Sequence, residues 1–218
     1  MISKKNRILI VDDHPIFCLG LSEMINKEPD LVVCGSEDTA IGARKAITDL
    51  APDLVIVDIS LKASNGIDLA DEINRIPEGP PVLVLSMYDE SLYAERALLA
   101  GARGYIMKQR AIKLVAHAIR KVLAGEIYAS AAIKEKVFNR LISRQQPVDT
   151  PLDLLTNREL EVFRLIGEGL SSKEIAGRLI LSVKTIGSYR DKIKIKLGLK
   201  HYTELVKFAV HWSQALPK

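Results

Sequence analysis

Cysteine is nearly absent from this chain: Cys18 and Cys34 are its two thiols, each among apolar neighbours, and their spacing suits neither a metal site nor a redox pair. They read as small core residues of a protein kept in a reducing compartment. Long apolar runs are lacking as well, which excludes a membrane span, and Met1 to Arg7 leads into the first apolar run without the hydrophobic stretch of a secretory signal. A soluble, cytoplasmic protein is expected. Internal repeats and low-complexity tracts are also missing. The net charge is small, +4 over 218 residues, but it is unevenly spread. Residues 1 to 125 hold 15 Lys and Arg against 17 Asp and Glu, whereas residues 151 to 218 hold 12 against 7. A basic C-terminal third beside a mildly acidic N-terminal part suggests a contact with nucleic acid.

What the chain does have is a set of apolar runs that each end on a polar residue. Arg7–Val11 runs into Asp12 and Asp13, Asp53–Val57 into Asp58, Pro81–Leu85 into Ser86, and Gly104–Met107 into Lys108. Runs apolar on both faces and separated by helix-period segments are parallel strands buried between helix layers. From Arg7 to about Ala124, strands are expected at 7–11, 31–36, 53–58, 81–86 and 103–107, with helices near 15–27, 40–50, 66–75, 90–100 and 112–124. Five βα units imply an α/β doubly wound, five-stranded parallel sheet. Ligands of such sheets sit at the carboxyl ends of the strands, so three carboxylates, a hydroxyl and an ammonium should converge there.

The remainder divides into a linker, 126–150, and a C-terminal domain, 151–218. Ile133, Val137 and Leu141 fall at i, i+4 and i+8, an amphipathic linker helix. The polar stretch from Ser143 to Pro151, broken at Pro147 and Pro151, marks the domain boundary. Beyond it the period is helical throughout, for an all-α domain of four helices. Thr156 with Glu159, and Ser171 with Glu174, each fit a capping box. Ser182 opens a third helix that runs to about Leu197, before Gly198, and the fourth spans roughly His201 to Gln214.

Clustered carboxylates repel one another unless a cation shares their site. Carboxylate and carbonyl oxygens, with no histidine or cysteine among them, suit Mg²⁺. A carboxylate beside such an ion can attack a phosphoryl group and form an aspartyl phosphate, with Lys108 balancing charge on the phosphoryl oxygens. His14, at a helix start, reads as a capping or surface residue.

Asp12-Asp13-His14-Pro15, Asp58, Gly66, Ser86, Tyr105 and Lys108, followed by the helical segment from Leu155 to Ile186, make the chain resemble a bacterial two-component response regulator of the NarL/FixJ type over essentially its full length. Such proteins join a receiver domain of flavodoxin-like fold to a LuxR-type helix-turn-helix. The resemblance implies that Asp58 is the phosphoacceptor and a histidine kinase the donor. Asp12 or Asp13 would hold the metal with Asp58 and the backbone carbonyl of Ser60, while Lys108 contacts the phosphoryl group and Ser86 with Tyr105 reports its arrival. The sequence departs from the family at Lys62, where a proline often stands, and at Gln109, where many receivers have the proline that follows the lysine. These departures bear on loop rigidity.

In the third C-terminal helix, Ile186, Ile193 and Leu197 share one stripe that faces the core. Lys184, Ser188, Asp191 and Ile195 lie opposite, with Gly187 and Lys192 beside them. This is the candidate recognition helix for the major groove of double-stranded DNA. By family position Gly187, Ser188 and Asp191 lie nearest the base edges, and Lys173, Lys184, Thr185, Arg190 and Lys192 are placed to contact phosphates or stabilise the bound pose. A module this small buries too little surface for tight specific binding, so a homodimer on paired half-sites is expected on phosphorylation.

Two other classes fit less well. An aspartate-nucleophile phosphatase needs a second acid two residues after the nucleophile, but Ser60 follows Asp58 at that distance and Pro15 follows Asp13. A phosphorylation-independent regulator or flavodoxin-like ligand binder would have lost some of the acids or Lys108, and none is lost. The expectation is a regulator that assists its own phosphorylation and is not a dedicated enzyme.

Overall fold

The computed structural model describes residues 4–142 and 150–215. Its first part alternates strand and helix: β1 (Asn6–Val11), α1 (Pro15–Asn26), β2 (Leu31–Glu37), α2 (Ala40–Leu50), β3 (Leu54–Asp58), a two-residue ribbon of β4 (Ser60–Leu61) and β5 (Ser64–Asn65), α3 (Gly66–Asn74), β6 (Val82–Ser86), α4 (Glu90–Leu99), β7 (Gly104–Met107) and α5 (Lys108–Leu123). The main sheet has the order β2-β1-β3-β6-β7, with every pairing parallel.

Side chains alternate across this sheet with period 2. Ile8, Ile10, Leu54, Ile56, Leu83, Leu85 and Ile106 pack in one core with Cys18, Leu21 and Ile25 of α1 and Val115, Ile119 and Val122 of α5. Leu9, Val55, Val57, Val84 and Tyr105, the alternate residues, are buried on the other face, where α2, α3 and α4 lie against the strands. Burial on both faces explains why these strands read as unbroken apolar runs.

Helix starts follow local chemistry. Thr39 caps α2 at the Gly42 amide (3.1 Å), Asn65 caps α3 at Ile67 (3.0 Å) and Asp89 caps α4 at Ser91 (2.9 Å), while Pro15 opens α1. Two elements differ from the sequence reading. Helix α5 begins at Lys108, four residues earlier than expected, because no proline or glycine interrupts the chain after Met107. The ribbon β4–β5 is too short to leave a periodic signal.

Next comes α6 (Ala131–Ile142), which packs on α4 and buries Ile133. The C-terminal part has a single 3₁₀ turn at Pro151–Leu154 and then α7 (Asn157–Gly167), α8 (Ser172–Leu179), α9 (Val183–Lys196) and α10 (Tyr202–Ala215). Both capping boxes form: the Thr156 and Glu174 pairs with Glu159 and Ser171 are reciprocal, side chain to amide in each direction. The core sets the Phe208 and Trp212 rings 5.6 and 5.4 Å from that of Phe163, by centroid, and includes fully buried Ile186, Ile193 and Leu205. By internal contacts the chain divides into two units, Met1–Gln145 and Gln146–Lys218, so α6 belongs with the sheet. The proline-broken stretch 143–149, including Pro147, lies outside the described residues.

Candidate functional site

Asp12 leaves the end of β1, Asp58 the end of β3, and Lys108 opens α5 where β7 stops. The switch in strand order around β1 and β3 leaves a crevice at these ends. All three side chains are nearly fully buried. The Lys108 ammonium donates to both carboxylates, 2.6 Å from Asp12 Oδ2 and 2.9 Å from Asp58 Oδ2, and lies 4.6 Å from the Phe17 ring centroid. The expected convergence of acids and ammonium is therefore met in space.

One cation facing two buried carboxylates leaves excess negative charge. Burial pushes the Asp58 carboxyl up to about 7; the Asp12 charge adds to the rise and Lys108 opposes it. Burial also raises the Asp13 carboxyl, against the pull of His14. For Lys108 burial works to lower the ammonium, but Asp58 and Asp12 outweigh it and hold it above its usual value. Asp13 Oδ1 is buried without a hydrogen-bond donor, and its near neighbour is His14 Nδ1, an ion-pair contact at 2.8 Å.

His14 is the exposed N-terminal cap residue of α1, as its surface reading expects, but its side chain caps no amide. Its ring instead turns to the acids, with Nδ1 3.1 Å from Asp12 Oδ1, and the ligand atoms of Asp12, Asp13, His14 and Asp58 lie within 4.8 Å of one another. The expectation of oxygen donors without a histidine close by is corrected. A histidine at a helix start gives no sequence signal of which way its ring turns.

The loop after Asp58 is pinned despite Lys62. The Gly66 amide donates to the Ile59 carbonyl at 2.7 Å, the ribbon β4–β5 closes the turn, and Lys62 reaches Asp38 at 2.6 Å. A Cβ on Gly66 would fall 1.9 Å from the Asp58 carbonyl oxygen, so only glycine permits this approach.

Ser86 and Tyr105 are both buried, and a residue the sequence reading missed links them. The Tyr88 amide donates to Ser86 Oγ (3.1 Å), the Tyr105 hydroxyl donates to the Tyr88 carbonyl (2.8 Å), and the Tyr88 hydroxyl is 3.0 Å from Ser60 Oγ. Burial above all raises the Tyr105 phenol, keeping it a hydrogen-bond donor. Tyr88 sits in a connection, where no periodicity marks it.

In the C-terminal unit, α9 presents Lys184, Ser188, Asp191, Lys192 and Ile195 to solvent, and Lys173 is exposed on α8. Ser182 caps α9 at the Thr185 amide (3.0 Å), and the Thr185 hydroxyl meets Ser182 Oγ at 2.7 Å. Arg190, half-buried, serves the fold as well: its guanidinium lies over the Tyr202 ring, 3.2 Å from the centroid, and donates to Ser172 Oγ, so it ties α8, α9 and α10 together.

Helix α9 runs unbroken through Gly187, and a Cβ there would meet nothing within 4 Å. Gly187→Ala is expected to stabilise the C-terminal unit by about 0.5–1 kcal/mol, since mid-helix glycine costs that much in chain entropy. Denaturant unfolding checks this; a loss of stability would mean that the helix needs the glycine for its own geometry.

Comparison with known proteins places both units. Residues 8–120 match the model of the response regulator receiver domain, and residues 153–209 that of bacterial regulatory proteins of the luxR family. The oxygen regulatory protein NreC of Staphylococcus aureus is 33% identical over 210 residues, spanning 94% of this chain and 96% of that protein. Among solved structures, the RcsB response regulator of Salmonella typhimurium shares the fold, with a TM-score of 0.64 at 24% identity over 95% of this chain and 98% of that one. A structure of two RcsB dimers bound to two parallel DNAs is 25% identical over the same shares, with a TM-score of 0.56.

Proposed function

The chain belongs to the response regulators that join a receiver domain to a LuxR-type DNA-binding domain, and from that premise we propose that a sensor histidine kinase phosphorylates it on Asp58 to control its binding to double-stranded DNA. The observation that carries this reading is the buried pair Asp12 and Asp58 held by one ammonium, Lys108. Excess carboxylate charge and the orphaned Asp13 Oδ1 suit a hard divalent cation. Asp12, Asp13, Asp58 and the Ser60 backbone carbonyl would hold Mg²⁺, which when bound supplies positive charge to the phosphoryl oxygens.

An Asp58 carboxylate oxygen forms the bond to phosphorus as the bond from phosphorus to the donor's histidine nitrogen breaks, and the released imidazole takes a proton. Lys108 neutralises phosphoryl charge, and burial keeps competing water away. Ser86 Oγ then turns to the phosphoryl group and gives up the Tyr88 amide, which loosens the hold of Tyr105 on Tyr88. On this reading the receiver assists its own modification and is not a dedicated enzyme. Treatment with acetyl phosphate and Mg²⁺ should add one phosphate by intact mass, and Asp58→Asn should lose it. An equal yield in the variant would sink the assignment.

Lys173, Lys184 and Lys192 are assigned to DNA phosphates, and Gly187, Ser188 and Asp191 to the base edges. Removing Lys184 or Lys192 should weaken binding to all sequences and reduce the log-log salt slope by about 0.9 per lost contact. Replacing Ser188 or Asp191 should change which sequences bind. Titrations across a site library at several salt concentrations separate the two; uniform losses from both sets would place the recognition face elsewhere. Two modules in a homodimer, on half-sites about one helical turn apart, give the surface that one lacks. No helix among the described residues is long and apolar enough to cross a membrane, and kinase-controlled binding to DNA places the protein's work in the cytoplasm.

A further inference from the structure

We propose that Glu95 is the latch by which helix α4 holds helix α6, so that α4 sets whether α6 stays docked. Glu95 lies within α4 and takes no part in the acidic site, yet it is buried. Each of its carboxylate oxygens is taken by a different cation of α6: Oε2 lies 2.7 Å from Lys136 Nζ and Oε1 2.8 Å from Arg140 Nη1. Lys136 and Arg140 stand four residues apart and so share one face of the helix. Burial works to raise the Glu95 carboxyl, but the two cations together hold it below its ordinary value.

Apolar packing alone is a weak hold on this helix. Ile133 is buried and Val137 half-buried, whereas Phe138, Leu141 and Ile142 are 62%, 70% and 62% exposed. The expected stripe of Ile133, Val137 and Leu141 is therefore engaged only at its first two members. A twelve-residue helix has little stability of its own in water, so its residence on α4 depends on what binds it there. The buried Glu95 carboxylate, with a charge-assisted contact on each oxygen, supplies such a hold. The head of α4 is tied in turn to the acidic site, because Asp89 caps it directly after Tyr88, which is bonded to Ser86 and Tyr105. One helix thus touches the switch residues at its start and α6 at its middle. The latch stands apart from the proposed function and is measured without phosphorylation.

Hydrogen exchange of the full chain, followed by mass spectrometry of peptides across 131–142, tests it. Glu95→Ala should speed exchange in α6 about tenfold or more and Glu95→Gln by less, while β1, β3 and β6 stay protected. Lys136→Ala with Arg140→Ala, which leaves α4 untouched, should do the same and guards against a local collapse of α4. Glu95→Lys combined with Lys136→Glu and Arg140→Glu should restore protection. Acetyl phosphate should still modify Asp58 to wild-type yield in every variant. Unchanged α6 exchange in Glu95→Ala and in the double cation variant would overturn the latch and leave Ile133 as the anchor.

Discussion

Lys108→Ala should cost about 3–5 kcal/mol of stability at pH 8 in metal-free buffer, the usual price of leaving a buried charge without its partner. Lys108 Nζ is the ammonium within hydrogen-bond reach of both Asp12 and Asp58, at 2.6 and 2.9 Å, and all three groups are excluded from water. Without it two carboxylates face each other unscreened. The loss should shrink by pH 4, where the Asp58 carboxyl, raised by burial, has taken up a proton, and Mg²⁺ should recover part of it at pH 8 by replacing the missing charge. Denaturant unfolding at the two pH values, with and without Mg²⁺, checks this. An equal loss at both would mean that the side chain acts through packing, against Phe17 for example. The phosphorylated variant should also fail to gain DNA affinity, because nothing then draws the phosphoryl group toward α5.

The acidic site was legible because each polar residue directly follows an apolar run: a buried parallel strand delivers its next residue to the sheet edge whatever the rest of the chain does. The caps at Thr156 and Ser171 were legible for a similar reason, since both partners lie within four residues. What escaped depends on partners distant in sequence or on side-chain direction. Glu95 meets Lys136 and Arg140 across some forty residues, and no local pattern pairs them. Arg190 stands on α9 near the face that reads as DNA-binding, yet Ser172 and Tyr202 turn it inward. His14 and Tyr88 occupy connections, where neither period 2 nor period 3.6 assigns a face.

The same charge excess predicts a variant more stable than the natural chain. Asp58 is raised from an ordinary carboxylate value of 3.8 to about 7, chiefly by burial. Between these values the folded protein holds a proton that the unfolded chain has released, so stability falls as pH rises from about 4 to about 7 and then levels off. At 1.36 kcal/mol per unit, the whole penalty is about 4 kcal/mol. Asp58→Asn keeps the shape and removes the titration. In metal-free buffer it should therefore match the natural chain near pH 4 and exceed it by up to about 4 kcal/mol at pH 8. Mg²⁺ should narrow the gap, because it stabilises the ionised natural site and finds one carboxylate fewer in the variant. Lys108→Ala should cost less in the Asp58→Asn background than in the natural chain, since Asp12 is then the one carboxylate left without the ammonium. Unfolding curves from pH 4 to 8 decide the matter. A constant difference between variant and natural chain would show that Asp58 is already ionised throughout, leaving the acidic crevice better compensated than one ammonium allows.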